Sequence, residues 1–472
     1  MKKPSSPAEG LPPSDQVISK NYSGKLLLRN EIRLEEPQFR ALPFTPIPSI
    51  KRKTFSHECQ RCHNQKKSLF ASIPCSSCQK THLYCRKCIE MGRIMECEPL
   101  YECSGESFHW PRHEAPCSWD GTLTEVQQQA ADRIVHAVKN NERELLVWAV
   151  CGAGKTEMLF QGISEALKDG KRICIATPRA DVVRELKPRI QQAFAKVSVQ
   201  ALYGGSKDKD GTAQVILATT HQLLRFKHAF DLLIIDEIDA FPFHKDTSLP
   251  FAANRAKKDI HTTIYLTATP RQHHRLQIAF NKLPHIFVPI RYHGHPLPVP
   301  STKMCYSLKK PLTKYMPPRS FMNWIKQRKN QSRQILIFVP TIKMAEKMKE
   351  NLQKILIADN MIKDPKEIDF VHAEDPKREE KVQQFRAKLL RVLLTTTILE
   401  RGVTFPSVDV GVLDSGDKVF DEAALVQIAG RAGRSSDDPT GEVVFFHDGR
   451  TDAMVQAIQS IKKMNRRGGF IE

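Results

Sequence analysis

From Leu123 onward, short apolar runs alternate with stretches whose apolar residues recur every three to four positions. The runs "LLVWAV", "RICIAT", "QVILATT", "DLLIID" and "TIYLTAT" are each too short for a buried helix. They predict strands covered on both faces, and their alternation with helical patterns predicts a parallel α/β sheet. A proline cluster from Pro284 through Pro318 interrupts the pattern and reads as an interdomain linker. The alternation then resumes with "QILIFVP", "IDFVHA", "RVLLTTT", "DVGVLDS" and "GEVVFFHD". Two α/β lobes of similar size follow from periodicity, over 121–290 and 319–472, joined by a linker at 291–318. Ahead of them lies a proline-rich extension, 1–53, read as a tail or clamp rather than a packed unit. A cysteine-rich module spans 54–120.

Composition narrows the partners. Lys plus Arg number 72 against 52 Asp plus Glu, a net charge of +20. That surplus favours a polyanion, with nucleic acid ahead of acidic lipid. No window approaches 18 consecutive apolar residues, so no membrane span is expected. The opening "MKKPSSPAEGLPPSDQ" lacks the apolar stretch of a secretory signal. A cytoplasmic protein with reduced thiols is the expectation, which turns paired cysteines toward metal binding.

The first lobe opens with a strand, a glycine-rich turn and a helix, "LLVWAVCGAGKTE". Ala149, Val150, Cys151, Gly152, Ala153, Gly154, Lys155 and Thr156 make a phosphate-binding loop, with Ala149 where the usual first glycine stands. Backbone N–H groups would surround the phosphates of ATP, Lys155 would reach the β- and γ-phosphates, and Thr156 would ligate Mg²⁺. Cys151 is read as a small residue that fits the turn. In "FDLLIIDEIDA", Asp236 at a strand end would hold Mg²⁺ and Glu237 would orient the attacking water. Arg431 and Arg434 in "VQIAGRAGRSS" are three apart, on one face if helical, and suited to stabilise charge on a γ-phosphate.

The ordered motifs resemble those of superfamily-2 helicases, which implies two tandem RecA-like lobes. In that resemblance "LTEVQQQA" matches the adenine-reading region, with Gln127 as the contact. "ATPRADVVREL", "LATTHQLLRF", "LTATP", "LLTTTILERGVTF" and "QIAGRAGR" match further motifs. Thr177, Thr219, Thr220, Thr395, Thr396 and Thr397, with Arg179 and Arg184, are candidate contacts to nucleic-acid phosphates. Thr267 and Thr269 would link the ATP site to the track.

The cysteine spacing is C-x2-C-x12-C-x2-C-x6-C-x2-C over Cys59, Cys62, Cys75, Cys78, Cys85 and Cys88. Each x2 pair makes a tight knuckle, and two knuckles complete a tetrahedral Zn²⁺ site. Six candidates exceed four ligands, so either one pair is spare or more than one metal binds. Cys97, Cys103 and Cys117 lack such partners and read as packing or free thiols; His57, His63 and His82 are possible substitute ligands, although a solvated histidine is the commoner outcome. A structural Zn²⁺ contributes on the order of 10–16 kcal/mol to folding in small modules.

A cysteine module ahead of "YCRKCIEMGR", "LVWAVCGAGKTEM", "DEID" and "TTILERGVTF" resembles the ComFA family of late-competence proteins. The resemblance implies a cytosolic, single-stranded-DNA-dependent ATPase that helps draw transforming DNA into the cell. It implies work at the inner face of the uptake channel with the phosphoribosyltransferase-like ComFC, and favours Cys59, Cys62, Cys85 and Cys88 as the zinc set. Rival readings are a primosomal helicase of the PriA type, an RNA helicase, and a nucleic-acid-binding scaffold with a vestigial ATPase core.

Overall fold

The computed structural model describes residues 20–54, 56–104, 108–208 and 210–470. Two sheets dominate it. One has seven strands in the order Val199–Leu202, Val215–Thr219, Ile173–Thr177, Phe230–Asp236, Lys257–Thr267, Glu144–Ala149, His285–Val288. The other has six, in the order Ser301–Met304, Val443–His447, Val408–Leu413, Gln334–Phe338, Val392–Thr395, Ile368–Val371. Ile173–Thr177 pairs in parallel with both of its neighbours, and Gln334–Phe338 does the same. All five residues of each are buried, as expected of strands with helices on both faces. Two parallel α/β lobes are what the periodicity predicts, and their architecture is the RecA-like one that the motif resemblance implies.

By packing, the chain divides into two compact units. The first holds the described residues up to Gly121, then Asp132–Leu145 and Phe160–Tyr265. The second holds Thr122–Ala131, Leu146–Leu159 and residues from Leu266 onward. The segment carrying the glycine-rich turn thus groups with the C-terminal half of the chain.

Within the first unit, the N-terminal segment departs from the sequence reading. Residues 1–19 lie outside the described residues, but 20–53 are packed. Leu26–Leu27 and Phe44–Ile47 flank Leu100–Cys103 in an antiparallel sheet. Tyr22, Phe39, Phe44 and Tyr101 pack ring on ring, with centroids 4.9–5.4 Å apart. The prolines masked this: Pro46 sits within a short edge strand, where its missing N–H costs no ladder bond. The cysteine module adds a three-stranded sheet of Phe70–Pro74, Thr81–Cys85 and Ile94–Met95.

In the second unit the proline-rich 284–318 stretch is likewise not a free linker. It contains two sheet strands, His285–Val288 and Ser301–Met304, and a short helix, Lys309–Thr313. The core of the six-stranded lobe gathers Phe321, Trp324 and Ile325 from helix Arg319–Gln327 against Phe446 and Leu413.

Candidate functional site

The strand Glu144–Ala149 runs into a turn that only glycine accommodates comfortably. Gly152 and Gly154 adopt φ of +82° and +72°, in the left-handed region. Between them Ala153 donates its N–H to Val150 O at 3.2 Å, curling the backbone before helix Lys155–Lys168 begins. Lys155 is half-buried and Thr156 is buried in the first helical turn. Such a curl before a helix N-terminus aims N–H groups at one point, the requirement for holding phosphate oxygens.

Gln127 braces this turn. Its Nε2 donates to Ala153 O at 2.9 Å, and its Oε1 accepts from Thr124 N at 2.8 Å. One N–H and one lone pair of the amide remain for a ligand such as adenine.

Residues from the C-terminal motif pack directly on the turn. Helix Glu422–Ala429 is capped by Asp421, whose carboxylate accepts from Ala424 N at 2.9 Å. The helix places Gln427 so that Cys151 Sγ donates to its Oε1 at 3.0 Å. Gly430 lies against Cys151 so closely that a Cβ there would collide with the thiol side chain. Small residues at both positions are therefore a packing requirement.

The two arginines divide their work. Arg431 is 2% exposed and gives its guanidinium to backbone carbonyls, Glu400 O at 2.6 and 3.0 Å and Val403 O. It ties its own turn to the "LERGV" segment. Arg434 is half-buried, with Nε on Gly430 O at 2.9 Å and a longer contact to Thr404 Oγ1 at 3.4 Å.

Sequence reasoning missed a third arginine. Arg291, 1% exposed, donates to Ala432 O at 3.0 Å and to Gly433 O. The adjoining Tyr292 donates its N–H to Gly152 O at 2.9 Å. Residues 291–292 therefore clip the glycine-rich turn to the arginine-bearing one. Burial, with Arg434 nearby, pushes the Arg291 pKa down to about 10, so it stays charged at neutral pH. Its place in a proline-rich stretch without periodicity gave no signal.

In the first unit, strand Phe230–Asp236 delivers Asp236, whose carboxylate accepts from Glu237 N at 2.9 Å. Glu237 has φ of +56°, an uncommon left-handed conformation for a glutamate. The threonine set is corrected in part. Thr177, Thr220 and Thr395 have 0% exposure, and Thr395 donates to Val371 O at 3.2 Å, so these three serve the interior. Thr396 and Thr397 are half-buried. Arg184 is exposed, with its guanidinium 4.8 Å from the Tyr203 ring centre. A cavity of about 760 Å³ opens nearby, lined by Lys25, Tyr203, Thr219, His221 and Arg225. Burial, with Arg172 and Arg225 as like-charged neighbours, pushes Lys25 down to about 7.

The cysteines resolve into two groups. Cys59, Cys62, Cys85 and Cys88 bring their sulfurs within 4.8 Å of one another, each at most 1% exposed. Cys59–Cys88 and Cys62–Cys85 are 3.8 and 3.6 Å apart. Four sulfurs at ~2.3 Å from a tetrahedral zinc stand about 3.8 Å apart, so the cage fits that ion. Cys75 and Cys78 instead lie with Cys97, within 4.8 Å of one another. The sequence reading gave Cys97 no such neighbours, since a lone cysteine distant in sequence carries no spacing signal.

The four-cysteine cage is bolted to the rest of the first unit. Arg255 donates to Gln60 O and Arg61 O at 2.9 and 2.7 Å, the carbonyls of the turn between Cys59 and Cys62. Arg61, fully buried, pairs with Glu31 at 2.9 Å, and Arg225 reaches the same carboxylate at 2.8 Å. His63 stacks on Phe251 with centroids 4.5 Å apart.

Known proteins share this combination. Residues 13–102 match the model for the competence protein ComFA N-terminal domain. Residues 120–272 match the type III restriction enzyme res subunit, and 318–436 the helicase conserved C-terminal domain. Among solved structures, Saccharomyces cerevisiae Dbp5 bound to RNA and ADP BeF3 has a TM-score of 0.53 at 18% identity, covering 74% of this chain and 89% of that one. That likeness shows the fold of the paired lobes. The competence protein ComFA of Streptococcus pneumoniae is 36% identical over 96% of this chain and all of its own length. That of Bacillus subtilis is 43% identical over 90% of this chain and 89% of its own. With the cysteine module, the glycine-rich turn and the arginine motif accounted for in one chain, the protein belongs to the ComFA family of helicase-like competence proteins.

Proposed function

We propose that the protein is an ATPase stimulated by single-stranded DNA, acting as a translocase that helps import transforming DNA during natural competence. The observation that carries this is the packing of the glycine-rich turn against Gln427 and Gly430, with Arg434 following in the same turn. A γ-phosphate cradled by 150–156 would lie beside the turn that carries Arg434. Lys155 and Arg434 would neutralise the phosphates, Thr156 and Asp236 would hold Mg²⁺, and Glu237 would orient the water. Arg431 and Arg291 would keep Arg434 in place. Bound zinc would supply rigidity to the Cys59, Cys62, Cys85 and Cys88 module and no redox chemistry.

Among the described residues no helix is long and apolar enough to cross a membrane. Work in the cytoplasm, at the inner face of an uptake channel and with a ComFC-like partner, fits that and the family. The deciding experiment is ATP turnover with single-stranded DNA, duplex DNA and RNA side by side. Many-fold stimulation by single-stranded DNA is expected. Equal stimulation by RNA removes the DNA assignment, and no turnover with any of them favours the scaffold reading.

A further inference from the structure

Two cysteine turns in the module have one design. In the first, Cys59 N donates to Asn64 O at 3.0 Å, His63 N donates to Cys59 O at 2.8 Å, and His63 has φ of +57°. In the second, Cys75 N donates to Lys80 O and Gln79 N to Cys75 O, both at 2.9 Å, and Gln79 has φ of +57°. The hydrogen bonds fall at the same offsets, five residues on and four residues back, with the left-handed residue in the same place. The side chains make different local contacts, Gln79 Nε2 to Ser76 O at 2.7 Å and His63 Nδ1 to Glu58 at 2.6 Å, so the shared left-handed backbone points to a shared demand of the turn itself. In the first turn that demand is to present two thiols to one corner of a metal cage. The second turn presents two thiols likewise.

What faces the second turn adds a third sulfur and, beside Cys78, an imidazole that would have to draw closer to the other two sulfurs to share an ion with them. Strands Phe70–Pro74 and Thr81–Cys85 pair in register up to Pro74 and Thr81, so the Cys75–Lys80 turn is the tip of a hairpin. Ile94–Met95 pairs along the other side of Thr81–Cys85, and the chain beyond it carries Cys97 to that tip. The three sulfurs lie within 4.8 Å of one another. His82, on the central strand, places Nε2 3.1 Å from Cys78 Sγ. Its other ring nitrogen, Nδ1, is 3.9 Å from a Glu96 oxygen, and Arg52 holds that carboxylate at 2.5 and 3.0 Å. A histidine with one nitrogen toward thiols and the other toward an anchored carboxylate is the arrangement that orients a zinc-ligating imidazole.

We propose that Cys75, Cys78, Cys97 and His82 form a second zinc site, separate from the four-cysteine cage. Three thiolates and one imidazole are a closed, structural ligand set for this ion. The hairpin strand Thr81–Cys85 then runs from a ligand of the outer site, His82, to a ligand of the inner one, Cys85. Because Cys78 is exposed while all four cage cysteines are buried, the outer ion exchanges faster than the inner.

The test is zinc content of the full-length chain, purified under reducing conditions without added metal. Two zinc ions per chain are expected, falling to one in Cys97→Ser and remaining two in His82→Cys, which supplies a sulfur in place of the imidazole. One zinc in the wild type, or two in Cys97→Ser, overturns the proposal. Should Cys97→Ser fail to fold, alkylation of the wild type decides. Cys78 is expected to resist iodoacetamide until a chelator is added, whereas a Cys78 that alkylates at once in zinc-replete protein, or is found in a disulfide with Cys75, sinks the second site. Loss of zinc on Cys59→Ser with the outer ion kept distinguishes failure of one site from failure of the other.

Discussion

Arg431 and Arg434 are three residues apart in one motif, yet their surroundings assign them different roles. Replacing Arg434 with alanine removes the side chain proposed to meet a γ-phosphate, and ATP turnover is expected to fall ~10³-fold or more, the usual loss for an arginine finger. Arg431→Ala instead strands the carbonyls of Glu400 and Val403 in the interior, so lowered thermal stability should accompany its loss of turnover. Calorimetry and steady-state ATPase assays on the pair separate the two effects. Arg291→Lys keeps a charge but loses the planar fork that spans Ala432 O and Gly433 O. Its kcat should drop on the order of 10²-fold through misplacement of Arg434, with the fold intact by circular dichroism. Lys25 offers a pH signature. Its folded pKa of about 7 lies below the ordinary 10.5, so between these values the unfolded chain binds a proton that the folded chain lacks. The penalty is full below pH 7, and stability should climb as pH rises from there, by at most about 1.4 kcal/mol per unit. Urea midpoints at pH 7 and pH 9 should diverge between wild type and Lys25→Met, and parallel behaviour would refute the shift.

At the scale of elements, the strands were legible because parallel strands buried on both faces are continuous apolar runs, as in "ICIAT" and "QILIF". The glycine-rich turn and the paired cysteines were legible because their chemistry is local. Cys97 and Arg291 were not, since each meets its partners only through tertiary packing. Prolines misled twice, at 20–53 and 284–318, because short edge strands tolerate them and composition alone cannot tell such strands from linkers. The threonine runs misled for a related reason: β-propensity and phosphate contact call for the same residue, and Thr177 and Thr395 turned out to be buried strand residues, while Thr220 is buried at the start of a short helix. Helix Thr220–Arg225 and the cysteine module meet at Glu31, which pairs with buried Arg61 and with Arg225. Glu31→Ala leaves Arg61 charged in the interior, so a loss of about 3–5 kcal/mol is expected in denaturant titrations.

For the whole molecule, a net charge of +20 was the earliest hint of a polyanionic partner, and it now has a salt signature to meet. Affinity for single-stranded DNA should fall linearly in log–log form with salt, at ~0.7 per phosphate contacted, and binding that ignores salt would contradict phosphate gripping. Lys155→Ala and Glu237→Gln should abolish turnover while leaving DNA affinity nearly unchanged. Either variant hydrolysing ATP at the wild-type rate would displace the proposed active site.

Arg255 reaches from helix Ser248–Ala256 to the carbonyls of Gln60 and Arg61. Those two oxygens hold their positions only while the Cys59–Cys62 turn stays folded, which is what the proposed zinc would secure. Withdrawing the proposed zinc would strip away these two acceptors and leave the guanidinium on Leu224 O and Phe226 O alone, and trypsin should cut after residue 255 faster than in the intact protein. The cleavage pattern would then work as a gauge of how far a loosened metal cage disturbs the surface against which it rests.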